Sequence, residues 1–393
     1  MSEIKKIGIV LSSTPAYSET FFTSKIKGLQ LHGFEVVIFV QEHKSEFDLC
    51  SVKEMYSVSN SSLLQLFKMF FVILSLLPHY QKVLRFIKLE RQDQVSIYAI
   101  LKKIYLSAHI FKQDVDWLHF GFATMALGKE NLPQSIGAKS AVSFRGFDIA
   151  IYPLKNPGCY DLLWKRIDKV HTISTDLLKL AYDLGLNSST KFQKITPAID
   201  VKYFSNTDEN KSSSCVHFLT VARLHWKKGL IATIEAMNLL KQQGLNFKYT
   251  IIGTGSDYEI ERIQYLIFEF GLTENIQLLG KKNRAEVHSY YKEADIYLQY
   301  SISEGFCNAV LEAQSMGLLC IVSDAEGLPE NILDGQTGWV VKKQSPKILA
   351  DTINKVCQLD TVEKSKIIEK AKRRVQDEFN IEKQQQEFVH FYS

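Results

Sequence analysis

Two glutamates eight residues apart, in Glu304-Gly305-Phe306-Cys307-Asn308-Ala309-Val310-Leu311-Glu312, are the residues whose type and spacing best suit chemistry in this chain. If a helix opens just after Gly305, they lie about 12 Å apart along its axis and about 80° apart around it. Both then reach one elongated ligand, and a nucleotide-sugar is such a ligand. An ionised carboxylate only accepts hydrogen bonds, and charge-assisted bonds are the strong ones. One glutamate therefore suits sugar hydroxyls and the other ribose hydroxyls. On spacing alone, a surface helix with two solvated glutamates is the commoner explanation.

A second group lies upstream. Leu219-Thr220-Val221-Ala222-Arg223-Leu224-His225-Trp226-Lys227-Lys228-Gly229 reads as a strand, a loop and the start of a helix. Arg223 and Lys228 then sit near a strand's carboxyl end, where two cations can hold a diphosphate and neutralise the charge that grows as it departs. Taken alone, a basic loop is more often simply solvated.

The elements that must position these residues follow from length and pattern. A chain of 393 residues exceeds one ordinary core and suggests two domains. With 46% hydrophobic and 23% charged residues it has the balance of a folded protein, and a net charge of +4 is too mild to argue for a nucleic-acid partner. Cys50, Cys159, Cys215, Cys307, Cys320 and Cys357 form no Cys-x-x-Cys pair, so neither a zinc site nor a disulfide framework is indicated. The run Ile7–Leu11 is too short for a secretory signal and reads as a first buried strand, so a cytoplasmic location is expected. Short apolar runs alternate with helical-period segments in both halves, the pattern of parallel sheets covered by helices. Strand candidates are Ile7–Leu11, Val36–Val40, Trp117–Phe120, Ala141–Phe144 and Val170–Ile173, then Val216–Val221, Tyr249–Ile252, Ile276–Leu279, Ile296–Gln299 and Leu319–Val322. The polar stretch Ser205–Ser214, after Thr196-Pro197-Ala198-Ile199-Asp200, reads as a domain-crossing linker. The fold expected is α/β, two Rossmann-like domains facing each other across a cleft, with ligands beyond the carboxyl ends of the strands.

Residues 63–113 depart from this rhythm. Leu63–Leu77 is nearly continuous apolar sequence, and from Pro78 to Gln113 seven Lys or Arg (Lys82, Arg85, Lys88, Arg91, Lys102, Lys103, Lys112) face two acids, Glu90 and Asp93. The run is too short to cross a bilayer core of about 30 Å. It is either an interfacial region on the inner face of a membrane, with cations meeting anionic headgroups, or a buried helix beside a solvated basic one.

The order and spacing of several segments together resemble family 4 of the retaining glycosyltransferases, which have the GT-B fold. These are Arg223-Leu224 with Lys228-Gly229, Gly253-Thr254-Gly255, Glu304 through Glu312, Gly327-Leu328-Pro329-Glu330 and Asp334-Gly335-Gln336-Thr337-Gly338. The first half is similar more loosely, through Pro15-Ala16-Tyr17-Ser18-Glu19-Thr20-Phe21, Ser143-Phe144-Arg145-Gly146-Phe147-Asp148 and Ile173-Ser174. The resemblance implies an acceptor-binding domain over 1–200 and a nucleotide-sugar-binding domain over 201–379, with a C-terminal helix near 380–393 packing back on the first. It implies that Glu304 contacts the donor sugar, Glu312 the ribose, and Arg223 and Lys228 the diphosphate. Gly305, Phe306 and Cys307 would sit near sugar and phosphates at a helix N-terminus, and Gly280, Lys281 and Lys282 near the base. No cofactor and no metal is expected.

Two departures stand out. Ser18-Glu19-Thr20 occupies the turn where many relatives carry a glycine pair; Ser18 and Thr20 either contact the diphosphate or cap the helix. Arg145 stands where many relatives have a histidine, so it binds an anionic acceptor or the leaving phosphate, and His119 is the alternative catalytic residue in this half, although a lone histidine at a strand end is more often structural. The function expected is transfer of a hexose from a UDP- or GDP-sugar to a lipid-linked or growing cell-surface saccharide. A non-catalytic sugar-nucleotide-binding relative in a polysaccharide assembly complex is the alternative. A GT-B phosphorylase or a sugar-nucleotide epimerase would leave residues 63–113 unexplained. A nicotinamide oxidoreductase is disfavoured because Tyr258 stands where Gly253-x-Gly255 would need its third glycine.

Overall fold

The computed structural model describes residues 5–15, 20–43, 47–206 and 215–393. Ser18 and most of the predicted linker, 207–214, lie outside the described residues, as does the side chain of Thr20. The chain divides into a unit of residues 1–195 with 384–393 and a unit of residues 196–383.

The first unit holds β1 (Lys6–Val10), β2 (Glu35–Val40), β3 (Ser51–Glu54), β4 (Trp117–Phe120), β5 (Lys139–Phe144), β6 (Lys169–Thr172) and β7 (Lys191–Lys194). They form one parallel sheet in the order β3-β2-β1-β4-β5-β6-β7. The inner strands match the apolar runs of the sequence. β3 and β7, Ser-Val-Lys-Glu and Lys-Phe-Gln-Lys, do not, because an edge strand is covered less and needs no continuous apolar run. Ile7, Ile9, Val36 and Ile38 pack against Phe22 and Ile26 of the helix Thr20–Leu31, and Phe388, Phe391 and Tyr392 of the helix Ile381–Tyr392 complete that core. The two helices approach closely: a Cβ on Gly28 would lie 2.4 Å from the Gln385 side chain.

Between β3 and β4 stand the helices Ser62–Ser75, Tyr80–Gln92 and Ile97–Phe111. The buried-helix alternative for Leu63–Leu77 is overturned, since Phe70 is 57% and Phe71 64% exposed and Leu63, Leu66 and Leu74 are exposed as well, with only Val72 and Leu76 of this run buried. Among the described residues no single helix is long and apolar enough to cross a membrane.

The second unit holds β8 (Val216–Val221), β9 (Phe247–Ile252), β10 (Ile276–Leu278), β11 (Ile296–Gln299), β12 (Leu319–Ser323) and β13 (Trp339–Val341). Their order is β10-β9-β8-β11-β12-β13, again all parallel. The unpredicted strand is once more an edge, β13. Phe218, Leu298 and Ile321 of the central strands pack against Ile234 and Met237 of the helix Leu230–Gln242. The strand order reverses between β8 and β11, so the loops leaving those two strands diverge and open a crevice at their carboxyl ends.

Candidate functional site

Arg223 to Lys228 follows β8, and Glu304 follows β11, so the two predicted groups share that reversal point. The chain fixes them with glycine. Gly229 has φ +63°, and a Cβ there would lie 2.0 Å from the Tyr300 carbonyl oxygen. The loop therefore lies directly on the end of β11, where the Ile302 N–H donates to the Lys227 carbonyl at 2.6 Å. Gly253 and Gly255 let the next loop approach equally closely, with Leu224 N–H donating to Thr254 at 2.9 Å. These are backbone contacts that no side chain permits.

Lys228 Nζ and a Glu304 carboxylate oxygen form an ion pair, with the side chains only 18% and 15% exposed. Burial works to lower the Lys228 pKa, but the Glu304 carboxylate outweighs it, and the pKa is raised. Glu304 also accepts from Ser301 Oγ at 3.5 Å. Behind it a buried chain runs along β11: Tyr297 O–H donates to Gln299 Oε1 at 3.0 Å, and Gln299 Nε2 to Ser301 Oγ at 2.8 Å. This support was not predicted. Its signal is a polar stripe at every second position of an otherwise apolar strand.

The predicted helix onset is corrected. The helix starts at Asn308, not after Gly305, so Glu304 lies on the preceding loop and the eight-residue helical geometry does not hold. Asn331, over twenty residues on, is the cause: its Oδ1 accepts from Cys307 N–H at 3.2 Å and its Nδ2 donates to the Cys307 carbonyl at 2.9 Å, holding Cys307 extended. Cys307 caps the helix Asn308–Ser315 without a side-chain hydrogen bond, so the N–H groups of its first turn are not satisfied by a capping side chain. Burial pushes the Cys307 thiol up to about 12, making it an inert neutral group. Phe306 is buried with its ring 5.7 Å from Phe379, so its side chain packs while its backbone stays on the loop before the helix.

Glu312 lies inside that helix and accepts from Tyr291 O–H at 3.0 Å. Burial raises its pKa to about 6, against the opposing effects of Tyr291 and Arg284. Gly280 is open, with φ +67°, and Lys281 is exposed on the loop after β10. Lys282 pairs with Glu286, whose reciprocal bonds with Asn283 cap the helix Arg284–Glu293.

In the first unit His119 is fully buried, which corrects its candidacy as a residue that meets an acceptor. His171 Nε2 faces the Ile195 carbonyl at 3.0 Å and must donate to it. Burial, then the Lys25 charge, holds both histidines well below their usual pKa, so each is neutral and the order of protons follows. Tyr392 O–H donates to His119 Nδ1 at 2.6 Å, His119 Nε2 to Ser143 Oγ at 2.7 Å, and Ser143 O–H to His171 Nδ1 at 2.7 Å. The chain fastens the last helix to β4, β5 and β6. Arg145 stacks on Phe21, its guanidinium 3.8 Å from the ring centroid, and Asp148 holds its turn by accepting from the Arg145 and Ala123 N–H groups.

Two parallel sheets of this order, each with its own helices, have the GT-B fold. Solved structures agree in fold: sucrose-phosphate synthase from Thermosynechococcus elongatus (TM-score 0.73, 15% identity, 99% of this chain and 98% of that one) and Anabaena HepE in complex with UDP (TM-score 0.73, 14% identity, 99% of each). The family described as Glycosyl transferases group 1 matches residues 205–375. The amylovoran biosynthesis glycosyltransferase AmsK of Erwinia amylovora is 30% identical over 280 residues, covering 69% of this chain and 67% of that protein. The putative colanic acid biosynthesis glycosyltransferase WcaL of Escherichia coli strain K12 is 28% identical across 95% of this chain and 96% of its own length. The chain belongs to the glycosyl transferases group 1 family, and it is an enzyme of the glycosyltransferase class.

Proposed function

We propose that the enzyme moves a hexose from a UDP- or GDP-sugar, with retention and without a metal, to a hydroxyl of a lipid-linked or growing cell-surface saccharide. The observation that carries this reading is the Lys228–Glu304 pair at the β8–β11 reversal, beside a helix N-terminus with no side-chain cap. Arg223 and Lys228 take the diphosphate with the first-turn N–H groups of Asn308–Ser315; Glu304 takes sugar hydroxyls and Glu312 the ribose. In this reading the counter-charge to the departing diphosphate comes from Arg223 and Lys228.

The bond from the sugar's anomeric carbon to the diphosphate breaks, the acceptor oxygen bonds to that carbon on the same face, and the hydroxyl proton passes to the departing phosphate. Positioning and electrostatics supply the catalysis. Relatives named for colanic acid and amylovoran biosynthesis support a role in polysaccharide assembly. The exposed apolar residues of Ser62–Ser75 and the exposed cations Arg85, Lys88 and Arg91 support a peripheral place for the enzyme at the inner face of the plasma membrane. The test is slow donor hydrolysis in a chelating buffer, followed by NMR. Release of the sugar first in the donor's own anomeric form supports the reading, and release in the opposite form removes retention.

A further inference from the structure

The helix Ser62–Ser75 turns a broad apolar face to solvent. Leu63, Leu66, Phe67, Phe70, Phe71 and Leu74 are all exposed, and at about 100° per residue they fall within an arc of about 140°. The opposite side is the one that packs, through buried Val72 and through Lys68, whose Nζ donates to Ser57 Oγ at 2.9 Å. After a bend of 55° the chain continues into Leu77–Gln92. The cations of this region divide into two sets. Lys82 is tied to Asp114 and to the Phe111 and Gln113 carbonyls, Lys103 to Glu90, and Lys112 to Tyr56. Arg85, Lys88, Arg91 and Lys102 are exposed and form no ion pair among the described residues.

We propose that these helices dock the enzyme on an anionic lipid surface, with Ser62–Ser75 lying in the interface, its apolar arc toward the acyl chains, and Arg85, Lys88 and Arg91 against headgroup phosphates. The inference rests on the peripheral location proposed above and is independent of the donor chemistry. Fourteen residues make a helix of about 21 Å, short of a bilayer core of about 30 Å. With Leu77–Gln92 it is long and apolar enough for a bent span by length and composition, but that second segment carries Lys82, Arg85, Lys88 and Arg91, which places the pair on the membrane rather than through it. A contiguous apolar face of this breadth is rare on a soluble surface. Its side chains offer no hydrogen-bonding group, whereas a protein interface carries polar groups for about one hydrogen bond per 100–200 Å². A second copy docked about a two-fold axis through this face would bring the two unpaired basic flanks together, a repulsion that anionic headgroups turn into attraction.

The experiment is co-flotation of the full chain with phosphatidylcholine vesicles and with vesicles containing about 30% phosphatidylglycerol, together with light scattering of the free protein. Wild type is expected to float at least tenfold more with the anionic vesicles. A Phe70→Glu, Phe71→Glu variant should lose at least tenfold of that binding, and Arg85→Glu, Lys88→Glu, Arg91→Glu should lose the preference for anionic lipid. Both replace exposed side chains, so their melting temperatures should match wild type. Equal flotation of wild type and the phenylalanine variant overturns the proposal, as does absence of wild-type flotation, or a dimer that the phenylalanine variant dissolves. UDP and GDP binding, read by thermal shift on the same samples, separates the two readings: flotation without nucleotide binding sinks the donor site and leaves the docking face standing.

Discussion

Glu304→Ala is expected to abolish most turnover while sparing affinity for free nucleotide. In the ligand-free protein Glu304 holds Lys228, so a diphosphate must share that cation with it. Removing the carboxylate removes the competitor, and the Kd for free UDP or GDP should stay constant or fall by up to about tenfold. The sugar loses its acceptor at the same time. Two charge-assisted hydrogen bonds of about 1.5–3 kcal/mol each amount to a loss of about 10²- to 10⁴-fold in kcat/KM. The substitution also lowers stability. The side chain is 15% exposed and ion-paired, so Lys228 is left largely buried without its partner. That costs about 1–3 kcal/mol, at roughly 2–4 °C of melting temperature per kcal/mol for a unit of this size. Calorimetric titration with nucleotide and a diphosphate-release assay with the sugar conjugate read the two effects separately. Wild-type turnover in Glu304→Ala would refute the assignment, and a parallel loss of nucleotide affinity would move Glu304 from the sugar to the phosphate site.

Lys228→Ala should raise the Kd for free nucleoside diphosphate by about 10- to 150-fold, the equivalent of one charge-assisted hydrogen bond; calorimetry showing no change would remove Lys228 from the diphosphate. Gly229→Ala must place a Cβ 2.0 Å from the Tyr300 carbonyl oxygen at positive φ, so it should melt several degrees lower and bind nucleotide weakly, and a wild-type melt would contradict the close packing. Glu312 has a folded pKa raised to about 6, above its unfolded value of about 4.3, so its contribution is fully present below the unfolded pKa and lost as pH rises through about 6. Glu312→Gln should therefore melt higher than wild type at pH 8, by about 2 kcal/mol, with the gap closing toward pH 4, and a pH-independent gap would show that burial of the charge is not the cause. Tyr392→Phe should cost about 1–3 kcal/mol by stripping the donor from buried His119, with turnover per folded molecule unchanged; a loss of turnover without a loss of stability would return His119 to the chemistry.

What the sequence made legible is what burial and spacing dictate. The inner strands of both sheets are apolar runs because both their faces are covered, and each reads within a residue or two of its observed span. β3 and β7 escaped because edge strands tolerate Lys, Gln and Glu, and β13 because its three residues, Trp339-Val340-Val341, are too short a run to stand out. The site divides in the same way. Arg223, Lys228, Glu304 and Glu312 stand out by type, and Gly229 by its place after the cations. The onset of the helix Asn308–Ser315 was misplaced because Asn331, distant in sequence, sets it through hydrogen bonds to Cys307. Lys25 was equally illegible: on a helix a lysine reads as a solvated charge, yet it is fully buried, and burial, then Arg145, holds its pKa well below the usual lysine range. Its Nζ lies 4.5 Å from the Phe388 ring centroid, a contact that exists only because the end of the chain returns to the first unit.

The central claim is that the second unit holds a nucleoside diphosphate through Lys228 and Arg223. The most direct test is the melting temperature of wild type and Lys228→Ala against UDP, GDP and ADP in a chelating buffer, since a ligand that binds only the folded state raises it. A rise with UDP or GDP that disappears in Lys228→Ala is the predicted result, and no rise with any of the three would contradict the account.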